Sequence, residues 1–347
     1  MAAFETNKKA LDAELVKLAS KHAEKNIAEL LDDEIKDKLS ELRTVLLELK
    51  DINREYAKSV VVVKEFFDSL VGVMLGKPTQ NSYTDKALVV PLSLHFGEET
   101  LIDGVTIDRR RFYERLIESD QLPTTSQPSP AEFEKVFEEV TKAGDSAVVL
   151  TISSKLSGTF QSAKIAAEEY DNIFIVDSCS ASIGSGILAE YAIDRAEEGM
   201  AASELAAHLE QKRNDVVAIA LLDTLEYLKK GGRISKTVAF AGGLLGIHPV
   251  ITIEDGEVAL IGKARGSKQG NNLLVQKIEQ SGGIDFSQPI LLGYSGLDDT
   301  LLKKYIEDSK HIWEDGTDSL DSICICSVIG TYGGPGIVCA AFFKKSC

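Results

Sequence analysis

Two loops rich in hydroxyl groups are the parts of this sequence best suited to hold a small anion. Leu122-Pro-Thr-Thr-Ser-Gln-Pro-Ser129 places Thr124, Thr125 and Ser126 just before a helix start. Hydroxyls donate hydrogen bonds to anions, and a helix N-terminus adds free N–H groups and the positive end of its dipole. A plain N-cap loop has the same composition. Thr151-Ile-Ser-Ser-Lys-Leu-Ser-Gly-Thr159 follows a strand pattern and precedes a helix pattern. Open α/β sheets present ligands at that position. Ser153, Ser154, Ser157 and Thr159 cluster there around Gly158. Where two such loops end two strands of one sheet, they form a pocket of neutral donors suited to a carboxylate or phosphate. Nucleophilic catalysis fits less well, because no histidine lies nearby in sequence to act as base. Turn chemistry alone would also account for the alternating serines.

Two further segments carry cations and glycines. Asp223-Thr-Leu-Glu-Tyr-Leu-Lys-Lys-Gly-Gly-Arg-Ile-Ser235 and the next residue gather Lys229, Lys230, Arg233 and Lys236. Lys263, Arg265 and Lys268 make a second small basic group. Arginine suits planar, bidentate recognition of carboxylate or phosphate, so Arg233 is the candidate. Lys229 and Lys230 read as cations set against a helix dipole, with Gly231 as C-cap. Val328-Ile-Gly-Thr-Tyr-Gly-Gly-Pro-Gly336 reads as a glycine-rich turn between two apolar strands, where a ligand can approach the backbone closely. It lacks the Gly-Lys-Ser/Thr ending of a P-loop. His22, His95, His208, His248 and His311 are scattered without metal spacing, and no Gly-x-Ser-x-Gly elbow occurs. The sequence therefore predicts no catalytic residue, no metal and no cofactor.

The elements that must position these loops alternate. Strand patterns cover 87–95, 147–153 and 172–177; helix patterns cover 109–119, a stretch after Ser129, 159–170 and a run through Glu198. Ser129 as N-cap, Pro130 at the first helical position and Glu132 three residues after the cap mark one helix start. The βαβα order implies a parallel sheet covered by helices. Beyond about Asn214 the expected strands are 216–222, 250–253, 289–294, 323–329 and 337–343, with Glu254-Asp-Gly-Glu257 as a hairpin turn. The expected fold class is α/β and two-lobed. It has a parallel βαβ domain over 84–213 and a mixed α/β domain over 214–347, with a ligand cleft between them.

The first ~80 residues differ, with no Gly before Gly72 and no Pro before Pro78. Leu31, Ile35, Leu39, Leu42, Leu46 and Leu49 fall mostly at alternating four- and three-residue steps, a helical seam. Residues 1–80 are expected as a helical hairpin or coiled coil serving packing or homo-oligomerisation, with 76–82 as a linker. The 347-residue chain carries a formal charge of −16, almost all of it after residue 83. That argues against nucleic acid, whose phosphates need neutralising cations. No apolar run approaches the ~20 residues of a membrane span. There is no apolar signal-peptide core, and the five cysteines have no disulfide-framework spacing. A cytoplasmic protein is expected.

Taken in order, Pro91-Leu-Ser-Leu-His-Phe-Gly97, the two hydroxyl loops, Asp223 to Ser235, Lys263-Ala-Arg265 with Lys268, and Gly334-Pro-Gly336 resemble the DegV family. Its members are bacterial fatty-acid-binding proteins that serve fatty acid kinase. The resemblance covers about residues 84–347 and implies two α/β lobes with a long-chain fatty acid buried in and between them. It implies Thr124 or Thr125, together with Ser154, as carboxylate ligands, with Ser126 and Ser153 in the same loops. Arg233 falls where the family meets phosphate or membrane. The implied protein is a carrier that presents the acyl carboxylate to the kinase, then holds the acyl phosphate, with transient membrane-surface contact. Two departures stand out. The family's opening strand, ending in Val-Thr-Asp-Ser, is missing, which would leave a sheet edge to be covered. Tyr332 stands where the family has a histidine near the carboxylate, and tyrosine donates a hydrogen bond without becoming cationic near neutral pH. Two other readings compete: a regulatory or assembly protein with a degenerate lipid site, and a Ser/Thr-dependent enzyme acting on a small carboxylated or phosphorylated molecule.

Overall fold

The computed structural model describes residues 71–76, 87–119, 121–234, 246–314, 316–317 and 320–345. The helical expectation for residues 1–70, most of the 76–82 linker, and Lys236 lie outside them. All described residues belong to one compact unit spanning 58–347.

A four-stranded sheet contains β1 (Val71–Gly76), β2 (Ala87–Val89), β6 (Ser146–Thr151) and β7 (Ile173–Asp177), in the order β2-β1-β6-β7. β6 is buried along nearly its whole length, as an apolar strand covered on both faces should be. Only β6 and β7 run parallel; β1 is antiparallel to both its neighbours. The β6–β7 pair is the parallel pairing expected of the βαβ unit, and antiparallel β1 corrects that expectation only by adding a strand it did not include. It also corrects the expectation of helix as far as residue 80, because Val71–Gly76 pairs in register from Val71↔Thr151 to Gly76↔Ser146. A valine-rich segment beside an open strand edge gains a full ladder by extending. The edge left by the missing opening strand is thereby covered.

The segment expected as one strand at 87–95 is two. β2 ends before Pro91, which has no ladder donor, and β3 (Ser93–Phe96) joins a separate sheet with β4 (Glu99–Ile102) and β5 (Thr124–Ser126), in the order β4-β3-β5. Helices α1 (Arg109–Glu118), α2 (Pro130–Lys142) and α3 (Thr159–Ala167) share a core with these strands, built on Leu94, Phe112, Tyr113, Phe133, Phe137 and Val149. The predicted cap of α2 is present: Ser129 N–H donates to Glu132 Oε2 at 2.7 Å.

The larger sheet holds β8 (Val216–Leu221), β9 (Ile247–Glu254), β10 (Glu257–Arg265), β11 (Leu291–Tyr294), β12 (Ser322–Cys324) and β13 (Val338–Phe343), in the order β10-β9-β8-β13-β11-β12. The turn between β9 and β10 is the predicted one, with Asp255 at φ 49° and Gly256 at φ 81°. These are the left-handed values a two-residue hairpin requires. Helices α4 (Ile183–Glu197) and α5 (Ala202–Lys212) share a core with both sheets. α4 is buried on nearly every side, as a helix between two sheets must be. Short helix α6 (Glu226–Lys230) follows β8, and α7 (Ser267–Gln280) and α8 (Thr300–Asp308) cover the far face of the larger sheet. The core that joins Val148, Leu150 and Val176 to Leu222, Ile251 and Phe343 continues across the boundary expected at 213.

The stretch expected as a strand over 323–329 stops at Cys324, and α9 (Ser327–Gly333) follows it. The cause lies far off in sequence. The buried carboxylate of Asp103 accepts the N–H groups of Ser327 and Val328 at 3.2 and 3.1 Å, which caps the first turn. The expected glycine-rich turn is therefore a helix that ends at Gly334, where φ is 76°.

Candidate functional site

Strand pairing sorts the first hydroxyl loop. β5 pairs with β3 so that Thr125 lies opposite Leu94 and Thr124 opposite His95. Leu94 is fully buried, and alternation along a strand puts Thr125 on that inner face and Thr124 and Ser126 on the outer one. On the outer face Ser126 Oγ lies 3.0 Å from His95 Nε2, and Thr100 Oγ1 lies 3.0 Å from His95 Nδ1.

On the inner face Thr125 Oγ1 is 2.6 Å from the hydroxyl of Tyr332, which α9 carries. Either oxygen can be the donor, so the pair spends one O–H on itself and keeps one for a third group. The Arg233 guanidinium stacks on the Tyr332 ring, its Cζ 4.5 Å from the centroid. Its Nη1 donates to the Gly231 carbonyl at 2.7 Å and its Nε to that of Leu156 at 3.3 Å. Gly231 leaves the space this stack needs, because a Cβ there would collide with the Tyr332 ring.

Thr125, Arg233 and Tyr332 stand at the wall of a pocket whose atom-free space is about 950 Å³, part of it open to solvent. The other walls are mainly apolar and come from both sheets and the helices between them. They include Ile152 after β6, Ile183 of α4, Ala218 and Ala220 of β8, Ile251 of β9 and Cys339 of β13. Burial pushes the Cys339 thiol up, which keeps it neutral and this wall uncharged. Arg233 is the one charged side chain among the described lining residues, which include no histidine, lysine or carboxylate.

The second hydroxyl loop is arranged differently. Ser153 is fully buried, and its Oγ donates to the Gly256 carbonyl at 2.7 Å, fastening the β9–β10 turn to the end of β6. Ser154 is exposed, and its backbone N–H lies 3.2 Å from both carboxylate oxygens of Asp177. Neither residue lines the pocket, and nor do Thr124 and Ser126; Ser157 does. Its Oγ is 2.8 Å from Thr159 Oγ1. Of the residues singled out in the sequence, Thr125, Arg233 and Tyr332 come together. The small pocket-facing residues Ala218 and Ala220 were not singled out, and their spacing of two along a strand is the signal that marks them.

The lining defines a mainly apolar pocket with one polar, hydroxyl-bearing wall. A DegV family model, described as an uncharacterised protein of that family, matches residues 83–345, and the chain belongs to the DegV family. A DegV domain-containing protein of Caldanaerobacter subterraneus is 34% identical over 259 residues, covering 74% of this chain and 91% of that one. Among solved structures, a fatty-acid-binding DegV family protein from Thermus thermophilus matches with a TM-score of 0.65 at 30% identity, over 74% of this chain and 91% of that chain. A stearic-acid-binding protein from Eubacterium ventriosum matches with a TM-score of 0.64 at 27% identity, over the same shares of the two chains. No helix of the described residues is long and apolar enough to cross a membrane.

Proposed function

We propose that this chain is a fatty-acid carrier. The observation that carries the reading is an apolar pocket whose polar wall is the Thr125–Tyr332 hydroxyl pair beneath Arg233. A long acyl chain fills the apolar part. Its carboxylate takes the O–H that the pair keeps free, and the cation beside it favours the ionised head. Thr125 and Tyr332 are thus the head-group ligands in this reading, and Thr124 and Ser154 are not. The binding of fatty acids by the Thermus and Eubacterium relatives supports the choice of ligand. Among the described lining residues there is no base or nucleophile pair, which favours a carrier over an enzyme. The family resemblance supports the next step: a separate kinase transfers the γ-phosphoryl of ATP to the held carboxylate, giving an acyl phosphate and ADP. The exposed cations Lys229, Lys230, Lys263, Arg265 and Lys268 suit brief contact with an anionic membrane surface.

Mass spectrometry of lipid extracted from the purified protein tests the reading. The expected result is a long-chain fatty acid in the extract, or its uptake by stripped protein. Protein that retains none and takes up none when offered C16 and C18 acids overturns the proposal.

A further inference from the structure

Two tyrosines and two glycines lock α6 to α9. Each helix ends on a glycine, Gly231 for α6 and Gly334 for α9, and each glycine is covered by a tyrosine ring of the other helix. A Cβ on Gly231 would collide with the Tyr332 ring, and a Cβ on Gly334 would collide with the ring of Tyr227. Gly334 needs glycine for its backbone as well, at φ 76°. Gly231 does not. At φ −75° and ψ −10° its backbone is open to any residue, so only the Tyr332 ring calls for glycine there.

The lock bears on Arg233, which lies just beyond α6. That helix has five residues, and a helix so short holds its place only by packing. Leu228 sets one side of it in the core shared by both sheets. Tyr227 sets the other side against the core that contains Cys326 and Val328, around the start of α9. Of the contacts made by the Arg233 guanidinium, the bond to Gly231 travels with α6, and the 3.3 Å bond to Leu156 is long. Its stack on the Tyr332 ring therefore lasts only while α6 stays against α9. Tyr227 is not among the described residues that line the pocket, so its effect on an occupant passes through its neighbours. We infer that Tyr227 is a positioning residue of the head-group site: its ring, seated on Gly334, holds α6 against α9 and keeps the Arg233 guanidinium on Tyr332, beside the carboxylate. The inference rests on the carrier reading.

The test is a double-mutant cycle on full-length, lipid-stripped protein with stearic acid as the probe: wild type, Tyr227→Ala, Arg233→Gln and the two together. Unfolding temperatures without ligand are read beside dissociation constants. Arg233→Gln removes the cation beside the head group and should weaken binding about tenfold; Tyr227→Ala only loosens that cation and should weaken it about fivefold. In the Arg233→Gln background the same Tyr227→Ala change should cost less than about twofold, because the group it positions is gone. Tyr227→Phe keeps the ring and should restore binding to within about twofold of wild type. Equal weakening by Tyr227→Ala in both backgrounds overturns the inference, because a ring that merely supports the fold acts whatever stands at position 233. Unchanged binding by a folded Tyr227→Ala protein, or by Arg233→Gln, also overturns it, and each of these results leaves the carrier reading intact. If Tyr227→Ala does not fold, Tyr227→Leu, which keeps apolar volume without the flat ring, takes its place in the cycle under the same criteria. A wild type that binds no stearic acid overturns the carrier reading, and this inference with it.

Discussion

Ala220→Phe tests whether an acyl chain runs along the larger sheet. Ala220 lies opposite Ile251 of β9 and Cys339 of β13, and all three line the pocket. A phenyl ring there extends into space now free of atoms. If it displaces roughly four methylenes of the ligand, at about 0.8 kcal/mol for each buried methylene, about 3 kcal/mol of binding is lost. That corresponds to a dissociation constant raised about 200-fold. Ala218 is a poorer choice, because its methyl group abuts α4 at Gly184. Calorimetric titration with acids from C10 to C18 reads the effect. In wild type each added methylene should tighten binding about fourfold, the same transfer energy expressed as a ratio. In the variant the gain should stop once the chain reaches the ring. The unfolding temperature without ligand should shift by only a few degrees, because the ring fills existing space. A folded variant that binds C18 acid as wild type does would refute the placement of the acyl chain against β8.

Other substitutions probe the polar end and the titrating groups. Thr125→Val removes the partner of Tyr332 and should weaken fatty-acid binding about tenfold, whereas Thr124→Val on the outer face should leave it within about twofold; fluorescent-ligand displacement reads both. Tyr332→His should make retention depend on pH where wild type is flat, with binding tightest below about pH 6 and weakening as the imidazolium loses its proton near pH 6.5. Equal dissociation constants for that variant at pH 5.5 and 8 would count against a head group beside residue 332. Glu190 on α4 has its carboxyl pushed up to about 7 by burial and then by Asp194 and Asp321. A raised acid stabilises the fold below its ordinary value near 4.5, and that contribution is lost as pH rises through about 7. Glu190→Gln should therefore flatten the fall in unfolding temperature between those two pH values.

What could be read from the sequence and what could not divides by the range of the interaction. The cap of α2 needs only Ser129 and Glu132, and the β9–β10 turn needs only Asp255 and Gly256, so both were legible locally. α9 was not, because its first turn is capped by Asp103, more than 220 residues earlier in the chain. β1 was not, because a valine-rich segment declares itself a strand only beside the free edge of β6. The choice between Thr124 and Thr125 is a matter of register with β3, which composition does not encode. Ser153 looked like a ligand group because nothing near it in sequence revealed Gly256 as its partner. The apolar pocket came only with the family resemblance. Ala218 and Ala220 become a wall once β8 lies between β9 and β13.

The bonds around the polar end differ in kind from the packing around the rest of the pocket. There the 122–129 loop meets α9 through Thr125 and Tyr332, and the 152–159 loop meets the turn after α6 through Leu156 and Arg233. Each such bond is worth about 1 kcal/mol net, because water replaces it when it breaks. The apolar walls belong to a core shared by both sheets, and parting them exposes surface at about 25 cal/mol per Å². Several hundred square ångströms would cost many times what two solvated hydrogen bonds do. Asp103 and Tyr113 hold the start of α9 and the Ile325 carbonyl from below, so the helix is fixed at its base while Tyr332, near its end, depends on Thr125. In the carrier reading, a fatty acid held here would exchange most easily at its carboxylate end. That is also the end a phosphorylating partner would have to reach, so one local opening would serve loading, release and presentation of the head group.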